Sequence, residues 1–588
     1  MENTIKSLLG FMYGENEAEG IYTDLAGILE TAFPGRLARA AGRNGRTGAG
    51  FTRKDAVLIA YGDMLAPPQA GGAAGETGLS RLEGFLRKWN QGAFTCLHLL
   101  PFHPYSSDDG FSVIDYRKVD SRFGTWGDIE RLGADFKLVF DFVLNHGSVG
   151  SPWFTGFLNG ESGYEGWYIV RPEGCDSSAV VRPRTHPLLT PFTRKDGSTV
   201  YVWTTFSSDQ ADYDFSNPRV LLEFMKIFLE YARRGARIVR LDAIAYLWKE
   251  DGTPCLHHPK THAVVKLFRA VIDALDLDLL ILTETNVPHQ ENISYFGQGD
   301  EAHLVYNFAL PPLVLHAMIS AGAAPLRAWA KTLPGPETGQ RFLNFLASHD
   351  GVGLTPVRGG LVDEAAFGET IAEAARRGAL VSYKSTPQGL VPYELNCSYA
   401  DAAAPPSLGD PALRSRAFLA SQAVLLSLSG LPAVYFHSWI GSSAWKEGPE
   451  LLGYNRAINR EKPPLDRVER ELNAPGSFRA RVYGGFSRLL AFRRAEEAFD
   501  PDVPQTVLEA GGSVFALLRG PDRRGRFALC AENLGPGPAI CGVPAQYGFP
   551  EAGVSLAPWE TRWTAWDPGD GAASIQELST AARYTPFK

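Results

Sequence analysis

RIVRLDAIA, residues 237–245, opens on Arg237 and continues as an apolar run broken by two further charges, Arg240 and Asp242. Residues two apart on an extended strand point the same way, so the guanidinium and the carboxylate share a face. A nearly continuous apolar run of this kind suits a parallel strand buried on both sides. Seven other stretches read alike: AVLIAYGD (56–63), TCLHLLPF (95–102), KLVFDFVL (137–144), LLILTET (279–285), HLVYNFAL (303–310), RFLNFLAS (341–348) and LPAVYFHS (431–438). Helical patterns separate them, the alternation that gives a parallel sheet with helices packed around it. Eight such strands predict an α/β fold of the (β/α)8, TIM-barrel type. Periodicity by itself leaves an open doubly wound sheet as the other solution.

The barrel is expected over residues 53–146, 237–351 and 431–499. Residues 147–236 are rich in Gly, Pro, Tyr and Trp. They separate strands three and four by more than a crossover helix needs, and an inserted domain is expected there. Residues 352–430 form a second insert after strand seven. Long structured loops after barrel strands lie over the C-terminal face, where barrel enzymes keep their sites. Ahead of the barrel, Ile5, Leu8, Leu9 and Phe11, then Tyr22, Leu25, Ile28 and Leu29, recur at helical spacing, so residues 1–52 read as a helical extension. APPQAGGAAG (66–75) reads as a flexible loop. SVFALLR (513–519), RFALCAEN (526–533) and VSLAPWETRWTAW (554–566) predict a C-terminal antiparallel β-domain over 500–588.

The chain has 588 residues, 45% hydrophobic and 21% charged, with a formal net charge of -8. This is the balance of a soluble globular protein, and the acidic excess argues against a nucleic-acid partner. The six cysteines form no C-x-x-C pair, which disfavours zinc and redox readings. Neither a cleavable leader nor a membrane-length apolar run is visible, so a cytoplasmic enzyme is expected, monomeric or homodimeric.

Polar residues gather where the strands end. Strand three ends with Asp141, Asn145 and His146. Strand four carries Arg240 and Asp242, strand five ends at Glu284, and strand seven at His349 and Asp350. One carboxylate at a strand end is ordinarily a helix cap; four strands ending this way at matching depth indicate an active site. Paired carboxylates suit glycosidic cleavage, in which one attacks the anomeric carbon and the other protonates the leaving oxygen. Arg240 beside Asp242 is expected to keep it ionised. Glu284 must start protonated, which calls for a raised pKa.

The segments DFVLNH (141–146), RIVRLDAIA (237–245), ILTETN (281–286) and FLASHD (345–350) resemble the four signature regions of the α-amylase superfamily. The resemblance implies Asp242 as nucleophile, Glu284 as acid/base and Asp350 as transition-state stabiliser, with His146, Arg240 and His349 at the glucose subsite. LHLLPFHPYSSDDGFSVIDYRKVD (97–120), RPRTHP (182–187), WTTFSSDQADYDF (203–215), PYELNCSYADA (392–402) and NRAINREKP (455–463) resemble the sucrose phosphorylase group. That likeness nominates Asp108 and Phe111 to hold the glucose, with Asp109 competing for the role of Asp108. It also nominates Arg184 for phosphate or acceptor, Phe206 as a platform, Gln210 near the acceptor and Arg460 as a donor-site arginine. Residues 392–402 would be a mobile loop. Tyr246, Asn286 and Glu394 complete the substrate-binding set. Asn286 and Glu394 depart from the sucrose pattern, which carries His and Gln there. AIAYLWKEDGTPCLHHPKTH (243–262) and the N-terminal extension look more like the glucosylglycerate phosphorylase branch.

The leading expectation is therefore a phosphorylase that releases glycerate, with inorganic phosphate as co-substrate, no cofactor and no metal. Sucrose, sucrose 6-phosphate or glucosylglycerol as donor, a plain α-glucosidase or transglucosidase, and a non-catalytic sugar-binding relative are the other readings. His98, His103, His257, His258 and His262 lack standard ligand spacing and read as loop histidines.

Overall fold

The structure, a computed structural model, describes residues 2–39, 50–69, 71, 75–386, 389–569 and 575–581. Part of the expected helical extension and part of the 66–75 loop lie outside the described residues.

All eight predicted strands form: β1 (Val57–Ala60), β2 (Cys96–Leu99), β3 (Lys137–Phe142), β4 (Ala236–Leu241), β5 (Leu280–Thr283), β6 (Leu304–Tyr306), β7 (Arg341–Asn344) and β8 (Leu431–Tyr435). They close into a parallel barrel in which each strand pairs with its neighbours in the chain and β8 returns to β1. Closure excludes the open sheet. The strands are buried almost throughout, as their unbroken apolar runs require. All are shorter than the apolar runs that announced them, because the last residues of each run leave the ladder and turn toward the C-terminal face.

The N-terminal extension folds as α1 (Glu2–Tyr13) and α2 (Glu15–Ala32). Their apolar stripe, Ile5, Leu9, Ile21, Leu25 and Leu29, joins the main core. These helices pack on two barrel helices, α3 (Pro218–Arg233) and α4 (Pro259–Ala274). Both barrel helices begin with Pro at the first turn behind a capping side chain, Asn217 and His258 respectively, an arrangement that satisfies orphan N–H groups where Pro needs none. α3 then buries Val220, Leu221, Phe224, Met225, Ile227, Phe228 and Tyr231 against the barrel and runs directly into β4.

Between β3 and α3 the chain makes a helix (Pro152–Asn159), a hairpin (Leu189–Thr193 with Thr199–Trp203) and a short strand, Gln210–Asp212, paired with His146–Ser148. After β7 it makes a three-stranded sheet in which Gly389–Asn396 lies between Val352–Gly353 and Leu380–Thr386. PYELNCSYADA is thus strand to Asn396 and then a helix, Tyr399–Ala403. The C-terminal unit is a five-stranded antiparallel sheet with a separate two-stranded ladder.

Candidate active site

Asp242 follows the last residue of β4 and Glu284 the last of β5. Leu241 and Thr283 are paired in the ladder, so the two carboxylates leave neighbouring strands at one level. Arg240 lies beneath them. Its Nη1 donates to Asp242 Oδ1 at 2.8 Å and to Asp141 Oδ1 at 2.5 Å, while Nη2 stands 3.9 Å from Glu284 Oε1. His98 on β2 meets the other Asp141 oxygen at 2.8 Å. Burial opposes the charge on Asp141, but His98 and Arg240 outweigh it and hold the carboxyl below its usual range.

Burial pushes Asp242 well above the usual carboxylate range, Arg240 pulls it back only in part, and Glu284 pushes it further up. Arg240 therefore favours the ionised form of Asp242, as expected, but offsets its burial only in part. The physical reason is that one guanidinium is divided among three carboxylates. Glu284 is raised as expected, first by burial, against Arg240, with Asp350 adding to the rise. Its Oε2 accepts the N–H of Ala243 at 2.9 Å, and Ala243 itself sits at φ 48°, a left-handed conformation uncommon outside glycine. Backbone strain thus lies directly beside Asp242.

Thirteen of the fifteen expected residues line one pocket. On the barrel side are Asp242, Glu284, Asp350, Asp108, Phe111, His146 and His349. Above them stand Arg184, Phe206 and Gln210 from the first insert, Tyr246 and Asn286 from loops after β4 and β5, and Glu394 from the second insert. Arg240 and Arg460 are the two that stand behind the wall rather than in it. Phe111 and His349 stack. His146 Nε2 and Gln210 Nε2 both reach the carbonyl oxygen of Phe111 at 3.1 Å. Burial lowers the pKa of both pocket histidines, well below the usual value for His349, where Arg460 and Arg240 add to the effect.

Backbone geometry distinguishes Asp108 from Asp109. Asp108, Asp109 and Gly110 have φ of 51°, 48° and 112°, and this tight left-handed turn sends the two carboxylates different ways. Asp108 faces the pocket. Asp109 turns back to accept from Arg460 Nη1 at 2.7 Å and from the Tyr454 hydroxyl at 2.5 Å. A Cβ on Gly110 would stand 2.8 Å from the carbonyl oxygen of Pro101, so the turn admits only glycine at its end.

The reading of the strand ends missed Arg456. Its Nη1 pairs with Asp350 Oδ1 at 2.5 Å, and its Nε and Nη2 meet the two oxygens of Glu394 at 2.9 Å each. Burial works against the charge on Asp350, but Arg456, Arg460 and Arg240 outweigh it and bring its pKa below the usual value. Arg456 was legible only as the first arginine of NRAINR, four residues before Arg460. Tyr393 and Phe308 also line the pocket without having been singled out.

Around the pocket, Lys249 Nζ lies fully buried between Asn145 Oδ1 and Asp212 Oδ2, 2.6 Å from each. Of the tempting histidines, His98 lies on β2, His258 caps α4, His262 lies within α4 against Glu301, and His257 meets Glu291 and Tyr295. His98 and His262 thus lie in regular elements, whereas His103, His257 and His258 lie in connecting segments, as expected.

A closed parallel barrel with these carboxylates at its C-terminal face is the catalytic barrel of the α-amylase superfamily, and the sequence model of the alpha amylase catalytic domain matches residues 91–333. The chain belongs to the glucosylglycerate phosphorylase family. It is 48% identical over 574 residues to the glucosylglycerate phosphorylase of Spirochaeta thermophila, covering 97% of this chain and 95% of that one. It is 46% identical to the glucosylglycerate phosphorylase of Escherichia coli, over 80% of this chain and 83% of that one. The sucrose 6F-phosphate phosphorylase of Thermoanaerobacter thermosaccharolyticum shares the fold, with a TM-score of 0.74 at 24% identity over 91% of this chain and 99% of that one.

Proposed function

We propose that this protein is a retaining phosphorylase that moves glucose from 2-O-α-glucosylglycerate to inorganic phosphate, giving α-glucose 1-phosphate and D-glycerate, reversibly. The observation that carries the reading is the pair Asp242 and Glu284 at neighbouring strand ends, sharing Arg240, in a pocket that also presents Arg184. Arg184 lies over the rings of Phe206 and Tyr393, and among the described residues no carboxylate is in ion-pair contact with it. A cation held this way is suited to an incoming anion.

In this reading Asp242 attacks the anomeric carbon while Glu284 protonates the glycosidic oxygen. Phosphate then attacks the glucosyl-enzyme with Glu284 as base, and two inversions leave the configuration unchanged. Burial favours protons on both carboxyls. The mechanism needs the first proton on Glu284; the closer contact of Arg240 to Asp242, 2.8 Å against 3.9 Å to Glu284, supports that order, although burial raises Asp242 more strongly. Asp350, Asp108, Phe111, His146 and His349 would hold the glucose, with Arg460 fixing the donor wall from behind. Arg184, Phe206, Gln210, Tyr246, Asn286 and Glu394 would shape the acceptor side.

The chemistry needs no cofactor beyond phosphate. The domain division set out from the sequence belongs to the same proposal, as does a cytoplasmic location, which suits six cysteines that are all unpaired. Among the described residues no helix is long and apolar enough to cross a membrane.

The test is a donor panel of glucosylglycerate, glucosylglycerol, sucrose and sucrose 6-phosphate, each with and without phosphate, scored for glucose 1-phosphate and free glucose. Phosphate-dependent glucose 1-phosphate from glucosylglycerate is expected. Free glucose irrespective of phosphate would make the protein a hydrolase and remove the role given to Arg184.

A further inference from the structure

Arg456 and Arg184 both line the pocket, yet they differ in what already neutralises them. Arg184 meets aromatic faces and the carbonyl oxygen of Pro183. Arg456 is held by two carboxylates at once: Asp350 from the barrel, and Glu394, which binds it through both oxygens. Glu394 is 3% exposed. Its Oε1 also accepts the N–H of Gly351 at 2.6 Å, and a Cβ on Gly351 would stand 2.6 Å from that same oxygen. The carboxylate is therefore seated in a built cradle. Tyr393, the preceding residue, lies under Arg184 and accepts a 3.4 Å hydrogen bond from the Asn286 side chain. One strand thus reaches both arginines.

We infer that Glu394 is a positioning residue that masks Arg456, so that Arg184 is the cation that meets the anionic co-substrate, whether phosphate or a carboxylate. The inference rests on the phosphorylase reading above. An arginine whose charge is shared between two buried carboxylates has little attraction left for a third anion, and a trio with one cation and two anions repels it. A neutral amide at position 394 keeps an oxygen for the N–H of Gly351 and leaves Arg456 paired with Asp350 alone. The pocket then offers a second cation. The side chain at 394 sets how many positive charges the anion meets.

The test uses the full chain and four proteins: wild type, Glu394→Gln, Arg184→Gln and the double variant. Steady-state phosphorolysis is measured against phosphate concentration, with kcat and KM separated. Wild type must first show phosphate-dependent glucose 1-phosphate; without it the phosphorylase reading itself fails, and this inference with it. Given that activity, Glu394→Gln is expected to lower the phosphate KM by about threefold or more, through the local charge change. Arg184→Gln is expected to raise the phosphate KM, and adding Glu394→Gln to it should recover much of the loss, because the unmasked Arg456 substitutes. A Glu394→Gln phosphate KM equal to or above wild type, or a double variant no better than Arg184→Gln, overturns the masking role while leaving the phosphorylase reading standing. If Glu394→Gln does not fold, Glu394→Ala is the second variant, because it too removes the carboxylate charge, and the same fall in KM is required of it.

Discussion

Phe111 lies flat against His349, ring centroids 4.7 Å apart and planes 6° from parallel. The two come from loops after different strands, so the stack joins opposite parts of the pocket wall. A neutral imidazole suits it, and burial keeps His349 neutral. Phe111→Leu removes the ring while leaving an apolar side chain of similar bulk. The expected outcome is a fall in kcat/KM for the glucosyl donor of about tenfold with an unchanged melting temperature. An unaltered kcat/KM would show that the stack does not shape the sugar site.

Glu284 carries a pKa raised chiefly by burial. In the proposed mechanism it donates a proton to the leaving oxygen, and so is active only below that pKa. The rate of enzyme glucosylation is therefore expected to fall as pH rises through it, at a higher pH than an ordinary glutamate would give. Glu284→Gln should lower the rate by about 10²–10⁴-fold and remove this alkaline limb. A variant that keeps the limb assigns it to another group.

Asp242→Asn retains a hydrogen-bonding partner for Arg240 but has no anionic oxygen for attack. Turnover measured as glucose 1-phosphate release is expected to drop by at least about 10³-fold, with the circular dichroism spectrum preserved. Activity near wild type in this variant rules out the nucleophile.

Lys249 bridges Asn145 and Asp212 with a buried ammonium. Asp212 pairs with His146 in the short ladder that also carries Gln210. The lysine's positive charge already fills the space between these groups, so exhaustive dialysis against EDTA is expected to leave kcat and melting temperature unchanged. Lys249→Met should leave Asp212 buried without its cation and cost about 3–5 kcal/mol of stability. Sensitivity of the wild type to EDTA would contradict this.

Glu532 is buried in the C-terminal sheet, with Oε1 accepting from the Trp563 indole at 2.7 Å, and burial raises its pKa from 4.5 to about 8. Below pH 4.5 it is protonated folded or unfolded and contributes nothing to the pH dependence. Between 4.5 and about 8 only the unfolded chain ionises, so stability falls as pH rises, by about 1.4 kcal/mol per unit at most. Glu532→Gln mimics the protonated form. Thermal melts should show the variant gaining on wild type as pH climbs toward 8 and matching it near 4.5. A constant difference across that range would refute the shift.

The barrel was legible because burial on both faces writes itself as unbroken apolar runs, and the carboxylates were legible because they stand where those runs stop. Arg456 had no such marker. It lies in a short helical turn, Asn455–Asn459, and its partners Asp350 and Glu394 come from distant stretches. The division of labour between Asp108 and Asp109 depends on left-handed dihedrals that neighbouring aspartates do not announce. Residues 392–402 read as a mobile loop because PYELNCSYADA resembles one, whereas 392–396 belong to the strand Gly389–Asn396. It is a strand because the second insert gives it a ladder partner on each side.

The masked arginine bears on how such a pocket changes its customer. Asp242 and Glu284 follow barrel strands, fixed by the closed ladder, whereas Glu394 and Arg184 ride on the two inserts. In the proposed mechanism, bond breaking and choice of leaving group are thus written in different stretches of chain. A single exchange of carboxylate for amide on the second insert would retune selectivity between charged and uncharged alcohols without touching the machinery below it.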